Sequence, residues 1–319
     1  MKISKLLKRM SAVAMTLMIG MAVAYLVADT EKKTLNDKTR STLPGQFVRL
    51  SKGVTHYELG GPEDAPVVVL VHGFSVPYYV WDPTFEALVE AGFRVLRYDL
   101  YGRGYSDRPE AEYDLDLLHE QLYELLSALK IDGPVSLVGL SFGGPVVARF
   151  ANDHPEKIRS LVLFAPQAAP VSVREIFPMN LPLVGEYFMA VYVVPVMLPK
   201  TQSSDFYDPE LFSDWEDRYR VQMEYEGFRR AILSTIRNTV ETDAILEYKS
   251  LGAKEIPVAL FWGQQDQTVS LADIALIQEA IPKLDFHPVD KAGHLLHYER
   301  PEVVNPLLIN FLSGKTMSD

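Results

Sequence analysis

The sequence predicts a doubly wound α/β fold, in which a mostly parallel sheet carries helices on both faces and one long helical insertion. Short apolar runs alternate with amphipathic helical patterns along most of the chain, as in successive β-α units. Residues 67–71 form an unbroken apolar run that is typical of a central strand buried on both faces. The alternation stops over residues 168–255, where proline and aromatic residues are frequent and no strand pattern occurs.

The predicted elements follow this order along the chain. They are a hairpin (46–50 and 54–59), a strand (67–71), a short helix (85–90), a strand (94–98), a helix (113–130), a strand from 134, its helix to about 154, a strand (158–164) and, after the insertion, a strand (258–262), a helix (272–280), a strand (284–289) and a helix (301–312). Residues 46–167 and 256–313 therefore form the predicted core. Residues 168–255 form a predicted helical cap over the strand ends, with helical patterns from residue 215 onward.

The first 28 residues have the pattern of an export signal or a membrane anchor. Four basic residues among the first nine precede an uncharged run, residues 10–28, and a polar tether follows over residues 29–45. The run is long enough to cross a bilayer, and Ala22-Val23-Ala24 offers a signal-peptidase site. Both alternatives stay open at this point. Either one predicts a membrane-anchored or a secreted or periplasmic protein.

Composition excludes several classes of function. With 31 basic and 42 acidic residues the chain carries a net charge of -11, so it lacks the basic face that nucleic-acid binding requires. It contains no cysteine, which excludes disulfides, thiol nucleophiles and thiolate metal sites. No metal-ligand cluster, phosphate loop or dinucleotide fingerprint occurs in the sequence. We therefore expect no cofactor and no metal, and the sequence leaves the oligomeric state open.

The chemistry is predicted to centre on Ser141. The stretch Gly139-Leu140-Ser141-Phe142-Gly143 follows an apolar strand run and precedes an apolar helical pattern. This is the nucleophile-elbow pattern, in which the serine stands on a strained turn with its hydroxyl exposed above a sheet. Glycines on either side let the strand and the helix pass closely. The pattern predicts Ser141 as a nucleophile.

A serine hydroxyl needs a base within hydrogen-bond reach and an acid that orients the base. Asp266 lies in the loop after one buried strand run, and His294 lies in the loop after the next. The order serine, acid, histidine and the strand-end positions favour Asp266 as the acid and His294 as the base. Asp290 is a weaker candidate for the acid. His297 is close enough in sequence to be mistaken for the base.

Two backbone N–H groups are candidates for stabilising a tetrahedral oxyanion. Phe142 directly follows the nucleophile, and Phe74 lies in the loop after the strand at 67–71. His72 precedes that loop, which favours a structural hydrogen-bonding role over a role as base. Asp99, at the end of an earlier strand, is predicted to anchor a loop.

Several motifs together resemble the α/β-hydrolase superfamily. They are His72-Gly73-Phe74, Asp99 with residues 101–107 (YGRGYSD), residues 139–144 (GLSFGG), Gly263 with Asp266, and Gly293-His294 with Glu299 and Pro301. The resemblance covers about residues 46–312. Within the superfamily the chain is similar to the lid-bearing lipase and esterase branch, which includes bacterial lipases and membrane-anchored monoacylglycerol lipases.

The resemblance implies an α/β-hydrolase fold with Ser141 as nucleophile, His294 as base, Asp266 as orienting acid, and Phe74 and Phe142 as oxyanion donors. It implies a serine hydrolase that cleaves carboxylic esters, with lipid esters such as monoacylglycerols as the expected substrates. Haloalkane dehalogenases and epoxide hydrolases of this fold use an aspartate at the elbow, so Ser141 argues against both.

Other members of the superfamily stay open as alternatives. Cofactor-free haloperoxidases or perhydrolases and carbon-carbon bond hydrolases keep the serine, although the second group often has a glycine-rich oxyanion loop that His72-Gly73-Phe74 lacks. A non-catalytic binding module is a further alternative, but such proteins usually lose one of the three residues. The aromatic residues of the insertion and its apolar stretch 181–198 either line an acyl site or form the core of the insertion.

Overall fold

The computed structural model describes residues 2–240 and 242–314, with the side chains of residues 2–6 left aside. Within these residues, eight strands form one sheet in the order β1-β2-β4-β3-β5-β6-β7-β8. Strands β1 and β2, and β2 and β4, pair antiparallel, and all other neighbours pair parallel. The strands are β1 (Gln46–Arg49), β2 (Val54–Gly60), β3 (Val67–Val71), β4 (Arg94–Tyr98), β5 (Val135–Leu140), β6 (Ile158–Phe164), β7 (Val258–Gly263) and β8 (Asp285–Val289).

Helices cover both faces of the sheet, as in a doubly wound fold. The α-helices outside the insertion are Lys2–Ala28, Asp37–Arg40, Asp82–Glu90, Leu115–Ala128, Gly143–Asp153, Leu271–Ala280, Leu296–Glu299 and Pro301–Leu312. The predicted α/β class with a mostly parallel sheet is confirmed. Met1 of the predicted N-terminal segment and residue 241 of the insertion lie outside the described residues.

The helix predicted at 113–130 is shorter than the apolar pattern indicates. It begins at Leu115 because the Asp114 carboxylate accepts a hydrogen bond from the Leu117 N–H at 2.9 Å and so caps the first turn. The two four-residue helices at 37–40 and 296–299 were not predicted from the sequence. They are too short to show a periodic apolar pattern.

Strands β3, β5, β6 and β7 form the buried centre of the sheet. Every residue of β5 and β7 is buried, because helices cover both faces of a parallel sheet. This double burial accounts for the apolar runs without alternation. Since β5 lies between β3 and β6, the loop after β5 emerges at the middle of the sheet, between the loops after its neighbours.

The insertion, residues 168–255, contains helices and no strand among its described residues. Its helical elements are Val184–Phe188, Met189–Met197 (a π-helix), Leu198–Thr201, Gln202–Asp205 (3-10), Pro209–Phe212 (3-10), Trp215–Arg220, Val221–Glu224 (3-10), Phe228–Thr239 and Ala244–Gly252. Helical structure thus begins earlier than residue 215. Pro195 lies inside the π-helix and has no backbone N–H to donate, which obscures the helical pattern in the sequence.

The N-terminal helix contains the one segment of the described residues that is long and apolar enough to cross a bilayer. That segment, Leu7–Ala28, has 22 residues with a mean hydropathy of 2.0, and none of it is buried in the protein. The chain that follows runs against the insertion, where Lys33 forms a parallel bridge with Tyr225. The predicted tether is therefore attached to the insertion.

The helix after the elbow passes so close to β5 and to the end of β3 that neither Gly139 nor Gly143 has room for a side chain. A Cβ on Gly139 would lie 2.6 Å from the Gly143 carbonyl oxygen, and a Cβ on Gly143 would lie 2.5 Å from the Val71 carbonyl oxygen. Both oxygens belong to the backbone, so neither can move without shifting an element of the sheet or its helix.

We expect Gly139→Ala to lower the free energy of unfolding by about 1–3 kcal/mol, because overpacking forces the backbone apart. Urea unfolding of the full chain in detergent measures the change. Gly133→Ala is the matched control, because a Cβ there would have no heavy atom within 4 Å. Equal destabilisation by the two substitutions would show that the close approach at the elbow is not the cause.

Candidate active site

Ser141 occupies the strained turn that joins β5 to the following helix. Its φ of 52° lies in the left-handed region, which a residue with a Cβ adopts only at a cost of about 1–2 kcal/mol. The turn is held on both sides, since the Ser141 N–H donates to the Phe164 carbonyl at 2.9 Å and the Gly144 N–H donates to the Ser141 carbonyl at 2.9 Å. The hydrogen bonds fix a half-buried serine at the carboxyl edge of the sheet.

Asp266 and His294 form a buried pair at the same edge. The His294 Nδ1–H donates to Asp266 Oδ2 at 2.9 Å, and the Asp266 side chain has no exposed surface. The second carboxylate oxygen accepts the Thr268 N–H at 2.7 Å and the Val269 N–H at 2.9 Å. Three donors thus hold the carboxylate. Because Nδ1 of His294 donates to Asp266, Nε2 is the ring nitrogen that has no protein partner among the described residues.

The loop that carries His294 is fixed by its neighbours. The Gln265 side-chain oxygen accepts the Ala292 N–H at 3.0 Å, and Glu299 accepts the Gly293 N–H at 2.7 Å. The other Glu299 oxygen accepts the Tyr207 N–H of the insertion, also at 2.7 Å. The insertion and the histidine loop are therefore coupled through one carboxylate.

The pKa of His294 is raised above its ordinary value of 6.5. Burial alone would lower it, but the charge of Asp266 and its hydrogen bond to the ring outweigh burial, and the charge of Asp205 adds to them. The imidazolium form is therefore stabilised at this position. A ring with this property accepts a proton from a neighbouring hydroxyl more readily than an isolated buried histidine.

Ser141 and His294 line one cavity of about 280 Å³. The described residues show no direct hydrogen bond between the serine hydroxyl and the ring, and such bonds often tighten only in the substrate complex. The wall combines apolar and polar side chains from the core and the insertion. The lining residues include Phe74, Val76, Leu140, Leu198, Thr201, Gln202, Ser204, Asp205, Thr268 and Leu295.

The two predicted oxyanion donors differ in their surroundings. Phe74 lines the cavity with Ser141, and Gly73 beside it is so close to the serine that a Cβ would lie 3.0 Å from the Ser141 Cβ. Phe142 is buried directly after the serine, where the following helix begins. Within the described residues, neither the Phe74 N–H nor the Phe142 N–H donates a hydrogen bond to a protein acceptor.

The other histidines near the site are occupied elsewhere. His72 accepts the Leu100 N–H at Nε2 and donates from Nδ1 to the Gly73 carbonyl, each at 2.9 Å, and burial lowers its pKa to about 4. His297 donates from Nε2 to the Val80 carbonyl at 3.0 Å, and burial lowers its pKa to about 3. Both rings are therefore neutral structural groups at physiological pH.

The two other acidic candidates also have structural partners. Asp99 accepts the His56 Nδ1–H at 2.7 Å and the Tyr78 and Tyr105 backbone N–H groups at 2.8 Å each, so it anchors loops as the sequence predicts. Asp290 accepts the Gln265 amide at 3.2 Å on the surface. The carboxylate that contacts the His294 ring is that of Asp266.

Arg103 holds the loop that carries Phe74, and the sequence does not indicate this role. It is fully buried, and its guanidinium donates to the Phe74 carbonyl at 2.8 Å, the Tyr101 carbonyl at 3.1 Å and the Thr235 hydroxyl at 2.8 Å. Burial lowers its pKa to about 10, so it stays charged at neutral pH. It joins the loop that carries Phe74 to the insertion helix Phe228–Thr239.

Asp205 is a second residue that the sequence did not indicate. Its carboxylate lines the cavity and accepts the Thr268 hydroxyl at 3.3 Å. Burial raises its pKa, and the charge of His294 partly offsets that rise. The insertion thus places a carboxyl group beside the histidine.

The aromatic residues of the insertion mainly form its own core. Phe206 stacks on Phe212 at 4.4 Å and meets the edge of Trp215 at 5.1 Å between ring centroids. None of the aromatic residues of the insertion lines the cavity over Ser141 among the described residues.

A mostly parallel sheet, a serine on a strained turn after β5 and an Asp-His pair after β7 and β8 together define the α/β-hydrolase class. The chain belongs to this family, since the family profile described as the alpha/beta hydrolase fold matches residues 66–301.

The curated relatives of this chain are named for different activities. The chain is 26% identical over 289 residues to the AB hydrolase superfamily protein YfhM of Bacillus subtilis, covering 85% of this chain and 98% of that protein. It is 26% identical to Carboxylesterase YbfK of the same organism, covering 84% and 87%. It is 28% identical to Bifunctional epoxide hydrolase 2 of Rattus norvegicus, covering 83% of this chain but 55% of that protein.

Solved structures share the fold at lower identity. A bromoperoxidase from Bacillus anthracis superposes with a TM-score of 0.72 at 23% identity, covering 85% of this chain and all of that one (100%). A meta-cleavage product hydrolase from Pseudomonas fluorescens IP01 superposes with a TM-score of 0.69 at 22% identity, covering 85% and 98%. These likenesses establish the fold.

We expect Arg103→Met to lower the free energy of unfolding by at least about 2 kcal/mol, because the Phe74 and Tyr101 carbonyls lose their buried donor. Denaturant unfolding of the full chain measures the change. Arg159→Met, at an exposed arginine of the core, is the control and should stay within about 0.5 kcal/mol of the parent. An Arg103→Met protein as stable as the parent would show that these bonds give no net stabilisation.

Proposed function

We propose that the protein is a serine hydrolase that cleaves carboxylic esters, and that lipid esters such as monoacylglycerols are its substrates. The observation that carries the proposal is that Ser141 on its strained turn shares a cavity with His294, whose ring is held by the buried Asp266. The Ser141 hydroxyl attacks the ester carbonyl, and Nε2 of His294 takes its proton. Asp266 orients the ring and stabilises its charged form.

The Phe74 and Phe142 N–H groups stabilise the oxyanion that forms in this step. The tetrahedral intermediate collapses when His294 returns the proton to the departing alcohol, which leaves the acyl group on Ser141. Water then enters, gives a proton to His294 and attacks the acyl carbonyl. The bond from the acyl carbon to the Ser141 oxygen breaks, His294 returns the proton to that oxygen, and the carboxylic acid leaves, so no cofactor takes part in the proposed cycle.

The size and the lining of the cavity favour a substrate whose reacting group is small and partly polar. At about 280 Å³ it is slightly smaller than the roughly 300–1,000 Å³ of pockets that enclose a drug-sized ligand. Gln202, Ser204 and Asp205 supply hydrogen-bonding groups for alcohol hydroxyls. An ester with a short polar alcohol and a long acyl chain would place the ester here and extend the chain beyond the cavity.

We further propose that the apolar N-terminal segment is retained as a membrane anchor. The Tyr187 hydroxyl donates to the Met21 carbonyl at 3.3 Å, and the Arg229 guanidinium lies 5.4 Å from the centre of the Tyr25 ring. These contacts support an anchor that is part of the folded protein. The catalytic core then lies on the exported side of the membrane.

Peroxide-dependent halide oxidation and carbon-carbon bond hydrolysis are the alternative activities, since structures with those names share the fold. Ester hydrolysis is proposed first because a relative that matches most of both chains, 84% of this one and 87% of its own, is named a carboxylesterase. Assays of bromide oxidation and of a dienoate ring-cleavage product, run beside simple esters, distinguish them.

We expect a fluorophosphonate probe to label the protein at Ser141. The Ser141→Ala variant should lose both labelling and ester hydrolysis, because it lacks the nucleophile, and mass spectrometry of the labelled peptide checks the position. Ser204→Ala is the matched control, since Ser204 lines the same cavity, and it should keep labelling. Ester turnover by Ser141→Ala would contradict the proposed nucleophile.

We expect kcat/KM to rise with pH along a limb centred above 6.5, because neutral His294 is the active form and its pKa is raised. Asp266→Asn removes the charge that raises this pKa, so the limb should move to lower pH. The rate should also fall by about a thousandfold or more, because the ring loses its orienting carboxylate.

Asp290→Asn is the control for the acid. This exposed carboxylate does not contact His294, so its removal should leave both the limb and the rate unchanged. A shifted limb in Asp290→Asn together with an unshifted one in Asp266→Asn would reverse the assignment of the acid.

A further inference from the structure

The insertion exposes a group of large apolar side chains at its amino-terminal end. This group, the exposed apolar patch, consists of Phe177, Leu181, Leu183, Val184 and Tyr192, with Phe177 64% and Leu183 83% exposed. Apolar residues scattered singly on a surface need no explanation, but a concentration of this kind marks a binding surface. The ring of Phe188, which is half-buried, adjoins the patch, with its centroid 5.3 Å from that of Tyr192.

The exposed apolar patch lies beside the N-terminal helix. The helix packs against the π-helix Met189–Met197 of the insertion, and the Tyr187 hydroxyl donates to the Met21 carbonyl at 3.3 Å. The contact therefore falls inside the apolar span Leu7–Ala28 and not at its polar end.

The junction after the helix is fixed to the insertion. The Arg229 guanidinium pairs with Asp29 at 2.9 Å and with Glu31 at 3.3 Å, and the Arg229 N–H donates to the Glu31 carboxylate at 2.6 Å. The Lys33 N–H donates to the Glu224 carbonyl at 2.8 Å. The span and the insertion therefore hold one relative position.

This position determines how deep the insertion lies. At 1.5 Å per residue the span is about 33 Å long, close to the roughly 30 Å of the bilayer core, so Ala28 lies near the boundary. Met21 lies about 10 Å further in along the axis. Because Tyr187 contacts Met21, the start of the insertion is at the level of the lipid headgroups and upper acyl chains.

We propose that the exposed apolar patch is embedded in the lipid bilayer beside the anchor. This inference rests on the proposed function, in which the N-terminal segment is retained as an anchor. Burial to about 5–10 Å is the depth at which amphipathic surfaces bind membranes. Within residues 177–198 the one charged residue is Glu186, and it is paired with Arg237 at 2.7 Å. Embedding this segment therefore does not bury an unpaired charge.

One helical run connects the patch to the site. The helical run that begins at Val184 continues to Thr201, and its last turn contributes Leu198 and Thr201 to the cavity over Ser141. The proposed embedding would therefore bring a lipid ester of the bilayer to one end of a run whose other end lines the cavity over Ser141. The substrate class is then an ester that partitions into membranes.

Single-cysteine labelling tests the depth, and it is clean because the chain contains no cysteine. The full-length variants Leu183→Cys (patch), Leu17→Cys (anchor) and Leu276→Cys (an exposed leucine of the core helix Leu271–Ala280) are labelled with bimane and reconstituted in phosphatidylcholine vesicles. Quenching is measured with acyl-chain nitroxide lipids and with aqueous iodide.

We expect the labels at positions 17 and 183 to be quenched by the nitroxide lipids and shielded from iodide, and the label at 276 to behave in the opposite way. If the label at 17 is inserted and the label at 183 is accessible to iodide, the anchor stands and the embedded patch is overturned. If neither is inserted, both the anchor and the embedded patch are wrong.

Enzyme activity gives a second readout, which distinguishes the role of the patch from the proposed ester hydrolysis itself. Leu183→Asp should lower hydrolysis of a long-chain monoacylglycerol in the vesicles by about fivefold or more, because a charge at this depth is unfavourable in lipid. Hydrolysis of soluble 4-nitrophenyl acetate should stay unchanged, as should both activities of Leu276→Asp. Unchanged hydrolysis of the monoacylglycerol by Leu183→Asp would overturn the role of the patch. Equal losses on both substrates in a variant that unfolds at the same urea concentration as the parent would overturn it as well, because the effect would then not depend on the bilayer.

Discussion

The site depends on two backbones passing each other where no side chain fits. Cβ atoms on Gly139 and Gly143 would lie 2.6 Å and 2.5 Å from the Gly143 and Val71 carbonyl oxygens. With glycine at both positions, the helix after the elbow can pack closely against β5 and the end of β3. This close packing holds Ser141 at a φ of 52°, and the hydrogen bonds of the turn to β6 and to the helix keep it there. A strained φ of this kind persists only when the surrounding structure holds it in place. Here the buried centre of the sheet does so.

Burial favours a lower pKa for all three histidines near the site, but the net shift differs with the partner of each ring. His72 and His297 face backbone groups, so burial dominates and their pKa values fall to about 4 and about 3. His294 is also buried, but it faces the Asp266 carboxylate, and its pKa rises. One residue type thus gives two structural groups and one candidate base. The Asp266 charge next to the His294 ring causes this difference in pKa. The sequence pattern indicates that contact only indirectly.

The strands and the three candidate catalytic residues could be predicted because local features determine them. Double burial makes β5 and β7 apolar throughout, and strand ends place Asp266 and His294 in order. Arg103 could not be predicted, because its role arises from contacts with Phe74 and with Thr235, which is far along the chain. Asp205 lies in the insertion, which lacks the alternation of strands and helices that makes the rest of the chain predictable. Its position beside His294 depends on how the insertion packs against the core. The packing of the N-terminal helix on the insertion is likewise a tertiary contact.

The insertion connects three parts of the molecule that the sequence treats as separate. Through Arg229 and Tyr187 it holds the N-terminal helix, and through Thr235 it holds the arginine that contacts the Phe74 carbonyl. Through Glu299 it is coupled to the loop before His294. A displacement of the insertion would therefore reach a proposed oxyanion donor and the proposed base together. Because the same segment lies beside the apolar span, the proposed contact with a bilayer would be physically linked to the geometry around Ser141.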